Sequence, residues 1–306
     1  MLSYIATRLL SAIPTLFIAI TLAFFLMRVA PGGPFDLERP LEASVMENLK
    51  RVYQLDQPLY VQYGSYLWNL LHGDMGPSFY WRDFSVRELF AKALPISMKL
   101  GGTALALALL LGSALGATAA LRQNKWADYV VMTMATIGIT TPSFVVAPIL
   151  QLVFGLGLAW LPLGSWNDGA LRNIILPVAT LALPQIAVVA RLTRAAMIEA
   201  LRSHHVRTLR ANGLPLWVLL KHTLRSAALP VVSYLGPAAA SLMTGSIVVE
   251  NIFGLPGVGR YFIDGALNRD YTLVMGTVVL VAVLVILMNL IVDLLYALLD
   301  PRVRYE

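Results

Sequence analysis

The chain has very few residues of the kinds that usually perform chemistry in an active site. It has 306 residues, no cysteine and four histidines, so a thiol nucleophile, a disulfide and a cysteine-ligated metal are excluded. The adjacent His204 and His205 cannot share one face of a helix, and we interpret them as part of a solvated basic surface. No Gly-Lys pair occurs, and therefore no phosphate-binding loop of the form G-x-x-x-x-G-K-[ST]. We predict no catalytic residue, no metal site and no nucleotide site in this chain.

Charged side chains within apolar segments are the next candidates, because burying a charge in a bilayer is costly and usually serves a function. Asp293 lies inside the last apolar segment. We interpret it as a polar group that faces a neighbouring helix near the membrane boundary, rather than as a proton relay. Arg28 lies at the edge of the first segment, where its long side chain can reach the lipid headgroups. The apolar segments contain no series of carboxylates of the kind that a proton-driven transporter would use.

The composition explains why such residues are scarce. Hydrophobic residues make up 58% of the chain and charged residues 13%, and the mean hydropathy is +0.71. Soluble domains have about 45–50% apolar and about 25% charged residues. The chain is therefore predicted to be an all-α integral membrane protein. Its net charge of +6 then reflects membrane topology rather than the binding of nucleic acid.

Six segments are long and apolar enough to be transmembrane helices, since a bilayer core of about 30 Å needs about 20 helical residues. They cover approximately residues 9–29, 97–121, 129–156, 173–190, 227–249 and 274–299. The fourth is the least regular, because it is short and contains Pro177 and Pro184. The first is interpreted as a retained anchor, because its apolar run is longer than that of a signal peptide.

Lysine and arginine are distributed unequally between the loops. Residues 191–225 contain seven Lys or Arg and a single acidic residue, Glu199. The loop after the second segment and the end of the chain are also basic, whereas the short loops on the other side are poorer in Lys and Arg. Because basic residues accumulate on the cytoplasmic side, both termini are predicted to be cytoplasmic.

The segment of residues 31–95 is predicted to form a small external helical subdomain. One amphipathic stripe follows Pro40, and a second ends at Gly73. The sequence Ser85-Val86-Arg87-Glu88 fits a capping box. We expect this box to open a short helix that runs toward Pro95.

These patterns divide the chain into four parts. They are an N-terminal transmembrane helix, the external subdomain, a transmembrane core and a cytoplasmic tail, at residues 1–30, 31–95, 96–299 and 300–306. Within the core, Gly112 and Gly116 form a small-xxx-small pattern, which favours the close packing of two helices.

The cytoplasmic loop of residues 191–226 carries the most detailed pattern. A helical stretch runs to about Asn212, Gly213 can adopt the left-handed conformation that stops a helix, and Pro215 suits the start of the next one. A short helix–glycine–helix element on the membrane surface could dock a cytoplasmic partner. The alternative is a solvated basic connector that contacts anionic lipid.

The sequence of this loop resembles the EAA loop of the permeases of binding-protein-dependent ABC importers, in particular their oligopeptide/dipeptide branch. The resemblance is carried by Arg207, Thr208, Arg210, Ala211, Gly213, Leu214 and Pro215. Leu209 stands where the family usually has Ala, and Asn212 stands where it often has Lys. These two differences bear on which partners the loop pairs with, rather than on its function. Further motifs of the family, whose roles stay open, contain Arg28, Asp74, Gly76, Ser78, Gly254, Pro256, Gly257, Arg269, Asp270, Asp293 and Asp300.

The resemblance implies a fold, a set of partners and a location. The fold is the six-helix type I importer permease (MetI-like), in a bacterial inner membrane. The partners are a homologous second permease, two cytoplasmic ATPase subunits that dock on residues 191–226, and an extracytoplasmic binding protein that delivers oligopeptides. ATP and Mg bind to the ATPase subunits, and this chain needs no cofactor.

Other functions are alternatives. Dipeptides, glutathione, nickel chelates or other peptide-like solutes are possible substrates within the same family. A secondary transporter or channel would need intramembrane charges or inverted repeats. A membrane enzyme would need clusters of His, Asp or Glu at membrane depth. We find neither pattern in the sequence.

Overall fold

The computed structural model describes residues 2–29, 47, 51, 55–81, 83–245 and 247–299, and these ranges are mostly helical. The helices are α1 (Leu2–Val29), α2 (Leu59–Leu71), α3 (Val86–Leu121), α4 (Trp126–Thr140), α5 (Ser143–Leu150), α6 (Leu171–Arg202), α7 (His204–Ala211), α8 (Leu216–Met243), α9 (Ile247–Ile252), α10 (Val258–Leu267) and α11 (Tyr271–Leu299). A π-helical stretch, Gln151–Gly157, continues α5.

Within the described ranges, five stretches are long and apolar enough to cross a membrane. They are Leu10–Val29, Val86–Leu121, Leu171–Arg202, Ala227–Ile252 and Tyr271–Leu295. The bent pair of α4 with α5 and its π-helical continuation meets the same criteria and gives a sixth if it is one span. The prediction of an all-α integral membrane protein with six spans is confirmed in this form.

The third predicted span is not one continuous helix. The chain bends by 104° between α4 and the helix that begins at Ser143. Pro142 lies at the bend and Thr141 before it is extended, with ψ 117°, because a proline disfavours the helical conformation of the residue that precedes it. The prediction of one helix over residues 129–156 is therefore wrong.

The capping box opens α3 as predicted. Ser85 Oγ accepts a hydrogen bond from the Glu88 amide at 3.2 Å, and the Glu88 carboxylate accepts one from the Ser85 amide at 2.9 Å. However, the helix continues through Pro95 to Leu121, so the prediction of a separate short helix is wrong. Ala93 and Ser97 are buried on either side of the proline, and neighbouring helices can stabilise a helix that contains proline. The boundary drawn between residues 95 and 96 falls inside this helix.

The fourth predicted span is longer and more central than its sequence indicated. α6 has 32 residues and continues through Pro177 and Pro184. In the 18-residue apolar window of α6, 61% is buried inside the protein, against 11% in the corresponding window of α1. Contacts with α3, α4, α5 and α8 surround it. Neighbouring helices can stabilise a helix with proline in a membrane, and this explains why the two prolines do not end α6.

Gly112 and Gly116 lie where α3 meets α6. A Cβ atom on Gly116 would lie 2.4 Å from the carbonyl oxygen of Ala190, and one on Gly112 would lie 2.7 Å from Cβ of Val189. These distances are too short for any side chain, so the two glycines allow the helices to approach closely.

The external segment is described only in part. α2 follows the second predicted stripe, and Gly73 after it is left-handed, with φ +76°. The stripe after Pro40 lies outside the described residues, as do Asp300 and the tail of residues 301–306.

Candidate coupling segment and buried junctions

The predicted helix–glycine–helix element is present in the described structure. α6 ends at Arg202, and Ser203 begins α7 by accepting a hydrogen bond from the Val206 amide at 3.4 Å. Gly213 has φ +69°, in the left-handed region. Pro215 immediately precedes the first residue of α8. We refer to residues 191–226 as the coupling segment.

α7 exposes almost its whole surface. Val206 is its buried side chain, with 2% exposed, and it attaches the helix to the rest of the molecule. The residues that carry the resemblance are exposed along one continuous stretch: Arg207, Thr208, Arg210, Ala211, Gly213, Leu214 and Pro215. His205 contacts His222 of α8, with ring centroids 5.6 Å apart. A basic and exposed short helix can present its charges to another protein.

An ion pair links the start of the coupling segment, at the end of α6, to α4. Arg194 Nε lies 2.5 Å from Asp128 Oδ1, and Arg194 Nη2 lies 2.7 Å from Asp128 Oδ2. The Asp128 side chain is 2% exposed and accepts a further bond from the Asn124 amide at 3.0 Å. In the sequence, Arg194 is one of the seven basic residues of residues 191–225 that indicate topology, and its pairing with Asp128 was not predicted. The signal available was the opposite charge of Asp128, directly before the third predicted span.

A second junction lies at the opposite end of the helices and joins two motifs that are far apart in the sequence. Asp270 is fully buried at the start of α11. It accepts hydrogen bonds from Ser78 Oγ, from the Tyr80 amide at 3.1 Å and from the Leu273 amide at 3.0 Å. Thr272 Oγ1 donates to the Pro77 carbonyl at 2.6 Å. The loop that follows α2 is therefore held on the first turn of α11.

The remaining motif residues of this region shape the same loop. Asp74 Oδ1 accepts a hydrogen bond from the Gly76 amide at 2.8 Å, and Gly76 is left-handed, with φ +86°. Arg269, just before Asp270, is also left-handed, with φ +54°.

Arg28 connects α1 with α2 at the same end of the helices. Its Nε and Nη2 atoms donate to Gln62 Oε1 at 3.1 and 3.0 Å. Its guanidinium lies 4.6 Å from the ring centroid of Phe24 and 5.4 Å from that of Tyr271. The structure thus brings Arg28 close to the Asp74 loop and the start of α11.

A third junction surrounds Glu250, which the sequence analysis missed. This carboxylate is 1% exposed. It accepts hydrogen bonds from Ser97 Oγ at 2.6 Å and from the Gly259 amide at 2.8 Å, and Ser97 Oγ accepts one from the Val258 amide at 3.0 Å. Glu250 lies one residue beyond the predicted fifth span, so a search of the span interiors did not include it.

The glycine-rich motif after α9 fits around this carboxylate. A Cβ atom on Gly257 would lie 2.3 Å from the carboxyl carbon of Glu250, so only glycine fits there. Gly254 is left-handed, with φ +63°, and Pro256 lies between the two glycines. The motif Gly254–Gly259 therefore closes over the buried carboxyl group of Glu250.

Asp293 lies on α11 and faces α1 across a cavity. It lines this cavity of about 230 Å³ together with Ser11 and Thr15 of α1 and Asn289 of α11.

Within the described ranges, no group of three His, Asp or Glu side chains is placed to hold a metal ion.

Comparisons with known proteins agree on a single family. The family described as "Binding-protein-dependent transport system inner membrane component" matches residues 108–305. The chain is 52% identical over its full length to the "Oligopeptide transport system permease protein OppB" of Haemophilus influenzae, and 53% identical to that of Escherichia coli; in both cases 100% of each chain is covered. It is 41% identical to the "Dipeptide transport system permease protein DppB" of Bacillus subtilis, covering 99% of this chain and 98% of that protein.

The fold is similar to that of a solved ABC transporter structure. That structure is described as the crystal structure of an amino acid ABC transporter with histidines, and its TM-score is 0.51 at 20% identity. The match covers 70% of this chain and 94% of that chain.

Proposed function

The chain belongs to the family of binding-protein-dependent transport system inner membrane components, and from this premise we propose that it forms half of the translocation pathway for oligopeptides. A member of this family is a multi-pass inner membrane permease of an ABC importer. It works in a complex with another permease, with ATPases and with a binding protein. The family has no nucleotide site or cofactor of its own, and ATP is bound by the ATPases.

The identity of the relatives supports oligopeptides as the substrate. Two relatives named as oligopeptide permeases match at 52% and 53% over the entire chain, whereas a relative named as a dipeptide permease matches at 41%. The proposal that the substrate is an oligopeptide rests on this identity of 52–53% over the full length of the chain. Dipeptides are the alternative that the third relative favours.

The exposed basic surface of α7 supports a role for the coupling segment in docking an ATPase subunit. α7 is attached to the membrane core through Val206, and Arg194 is fixed by Asp128. α6 is continuous over 32 residues, or about 48 Å at about 1.5 Å per residue. A displacement of α7 by a partner would therefore reach the far end of this helix.

Both termini are proposed to be cytoplasmic. The Lys and Arg content of the coupling segment supports this orientation. In this orientation α2 and the Asp270 junction are on the periplasmic side of the membrane.

The substrate is tested in the host cell after deletion of the gene. Uptake of a radiolabelled tetrapeptide and of a radiolabelled dipeptide is measured with and without the chain restored on a plasmid. We expect loss of tetrapeptide uptake and its recovery on complementation, with dipeptide uptake largely retained. Loss of dipeptide uptake alone would favour the alternative substrate, and unchanged uptake of both peptides would contradict the proposal.

A further inference from the structure

A polar cavity of about 200 Å³ lies where α1, α2 and the start of α11 meet. Arg28 is the last residue but one of α1, and Thr272 is the second residue of α11. Both residues line the cavity. Arg28 lies near the end of the membrane-crossing stretch Leu10–Val29, and Thr272 lies near the start of the stretch Tyr271–Leu295. The cavity is therefore level with the lipid headgroups at one boundary of the bilayer. We call it the boundary cavity.

Two hydrogen-bond donors of the boundary cavity have no acceptor in the described part of the chain. They are Arg28 Nη1 and the hydroxyl of Tyr66, and both atoms are buried. Burial raises the pKa of Tyr66 to about 12, so its hydroxyl keeps its proton and acts as a donor at neutral pH. Buried donors without a partner are costly, especially when they are charged. An oxygen-rich anionic group that entered the cavity would remove this cost.

A carboxylate lies in the wall of the same cavity. Asp74 lines it, and Asp74 Oδ1 is engaged by the Gly76 amide at 2.8 Å. An anionic group without a positive charge would be repelled by this carboxylate. A zwitterionic group with a phosphate and a primary ammonium would satisfy both the two donors and Asp74.

The exposed face of α2 indicates what kind of molecule lies next to the cavity. None of the α2 side chains is buried. Tyr60, Trp68 and Leu71 are 77%, 64% and 81% exposed. Aromatic side chains with one apolar and one polar end are enriched at the boundary between lipid and water, and an amphipathic helix can lie in this plane. Lipid is therefore the neighbour that fits this face.

We propose that the boundary cavity binds the zwitterionic headgroup of a phospholipid, with its phosphate on Arg28 and Tyr66 and its primary ammonium on Asp74. The headgroup would connect α1, α2 and the loop held by Asp270. The site rests on the assignment of the chain as a membrane permease and not on its substrate. If both termini are cytoplasmic, as proposed, the bound lipid belongs to the outer leaflet. The binding site itself does not depend on this orientation.

The test uses the complete importer complex, purified in a mild detergent and examined by native mass spectrometry. The complex is titrated with phosphatidylethanolamine, with phosphatidylglycerol and with water-soluble phosphoethanolamine. We expect tight binding of one phosphatidylethanolamine by the unaltered chain. Arg28→Gln removes a charge-assisted hydrogen bond and is expected to weaken this binding roughly tenfold. Tyr66→Phe, a smaller change that keeps the ring, is expected to weaken binding by roughly threefold.

Two further variants make the result specific. Arg87→Gln removes a positive charge from an exposed residue at the start of α3, near the same boundary but outside the cavity, and is expected to bind lipid as the unaltered chain does. Asp74→Asn is expected to weaken binding of phosphatidylethanolamine but not of phosphatidylglycerol.

Three outcomes would overturn the proposal. The first is equal retention of lipid by the unaltered chain, Arg28→Gln and Tyr66→Phe. The second is a preference of the unaltered chain for phosphatidylglycerol over phosphatidylethanolamine. The third is competition by phosphoethanolamine at the same concentration as the lipid, which would assign the cavity to a free phosphate compound. This experiment measures lipid binding and not peptide uptake. A wrong assignment of the substrate would therefore appear in the uptake experiment and would leave the lipid result unchanged.

Discussion

Two buried carboxylates, Glu250 and Asp270, lie at the first turns of two helices. Glu250 accepts the Gly259 amide in the first turn of α10, and Asp270 accepts the Leu273 amide in the first turn of α11. The first amides of a helix have no partner within the helix, and a negative charge there is favourable because of the helix dipole. Each carboxylate also binds a distant serine, Ser97 or Ser78. These residues therefore connect a helix start to another part of the fold.

At the residue scale we predict that Glu250→Gln destabilises the permease. Glutamine has one acceptor oxygen where glutamate has two, so either the Ser97 hydroxyl or the Gly259 amide loses its acceptor. An unsatisfied buried group costs about 1–3 kcal/mol. The thermal unfolding midpoint of the purified complex should fall, and peptide uptake with it. Glu199→Gln is the matched control, because Glu199 is exposed on α6. Equal midpoints for the two variants would show that the junction contributes nothing to stability.

At the scale of elements, α6 joins the coupling segment to the centre of the fold. It packs on α3 through Gly112 and Gly116, and Arg194 attaches it to the start of α4. A central helix that is fixed along its length can transmit a displacement from one membrane face to the other, whereas a flexible connector would absorb it.

We predict that Arg194→Gln weakens this connection. Breaking a buried ion pair leaves Asp128 as an uncompensated buried charge, and because Arg194 is partly exposed we expect a cost on the order of 2 kcal/mol. ATPase co-purification and peptide uptake should both fall. The double variant Asp128→Asn/Arg194→Gln should be less affected than the sum of the two single variants, since residues of one pair are not additive. Strict additivity would mean that the pair does not act as a unit.

The turn at Gly213 provides a second prediction at this scale. Nothing lies within 4 Å of a Cβ atom built on Gly213, so any effect of substitution comes from its left-handed backbone. Gly213→Val should cost about 1–2 kcal/mol and redirect the start of α8, which reduces ATPase attachment and uptake together. Gly213→Asn should be milder, because asparagine tolerates this conformation.

Membrane abundance of each Gly213 variant is measured beside ATPase attachment and uptake. The spans should remain inserted, because the turn lies outside them. Wild-type attachment and uptake in Gly213→Val would contradict a docking role for the coupling segment.

At the scale of the whole molecule, the two ends of the helical bundle have different characters. One end carries the exposed basic coupling segment. The other carries the Asp270 junction, α2 and the boundary cavity. Such an asymmetric arrangement suits an importer whose partners bind on opposite faces of the membrane.

The orientation is tested by labelling, which is straightforward because the chain has no cysteine. Cysteine at Glu47, an exposed residue, should react with an impermeant maleimide in intact spheroplasts. Cysteine at Arg210 should react only after the membrane is opened. The reverse pattern would overturn the proposed orientation of both termini.

Sequence alone determined the features that depend on neighbouring residues. The apolar stretches predicted the membrane class, the Ser85–Glu88 spacing predicted the capping box, and Gly213 with Pro215 predicted the turn of the coupling segment. These signals are reliable because a helix cap or a turn is decided within a few residues. The motif of the coupling segment also indicated the correct family, because its residues are contiguous in the chain.

Only the tertiary structure decided which helix is central and which motifs meet. α11 has the higher mean hydropathy, 3.0 against 1.9 for α6, yet 22% of its apolar window is buried against 61% for α6. In a bilayer the lipid is as apolar as the protein interior, so hydropathy cannot distinguish a central helix from a peripheral one. Likewise, Ser78 and Asp270 are 192 residues apart and Ser97 and Glu250 are 153 apart. Such pairings arise from the packing of whole helices, which no local pattern records.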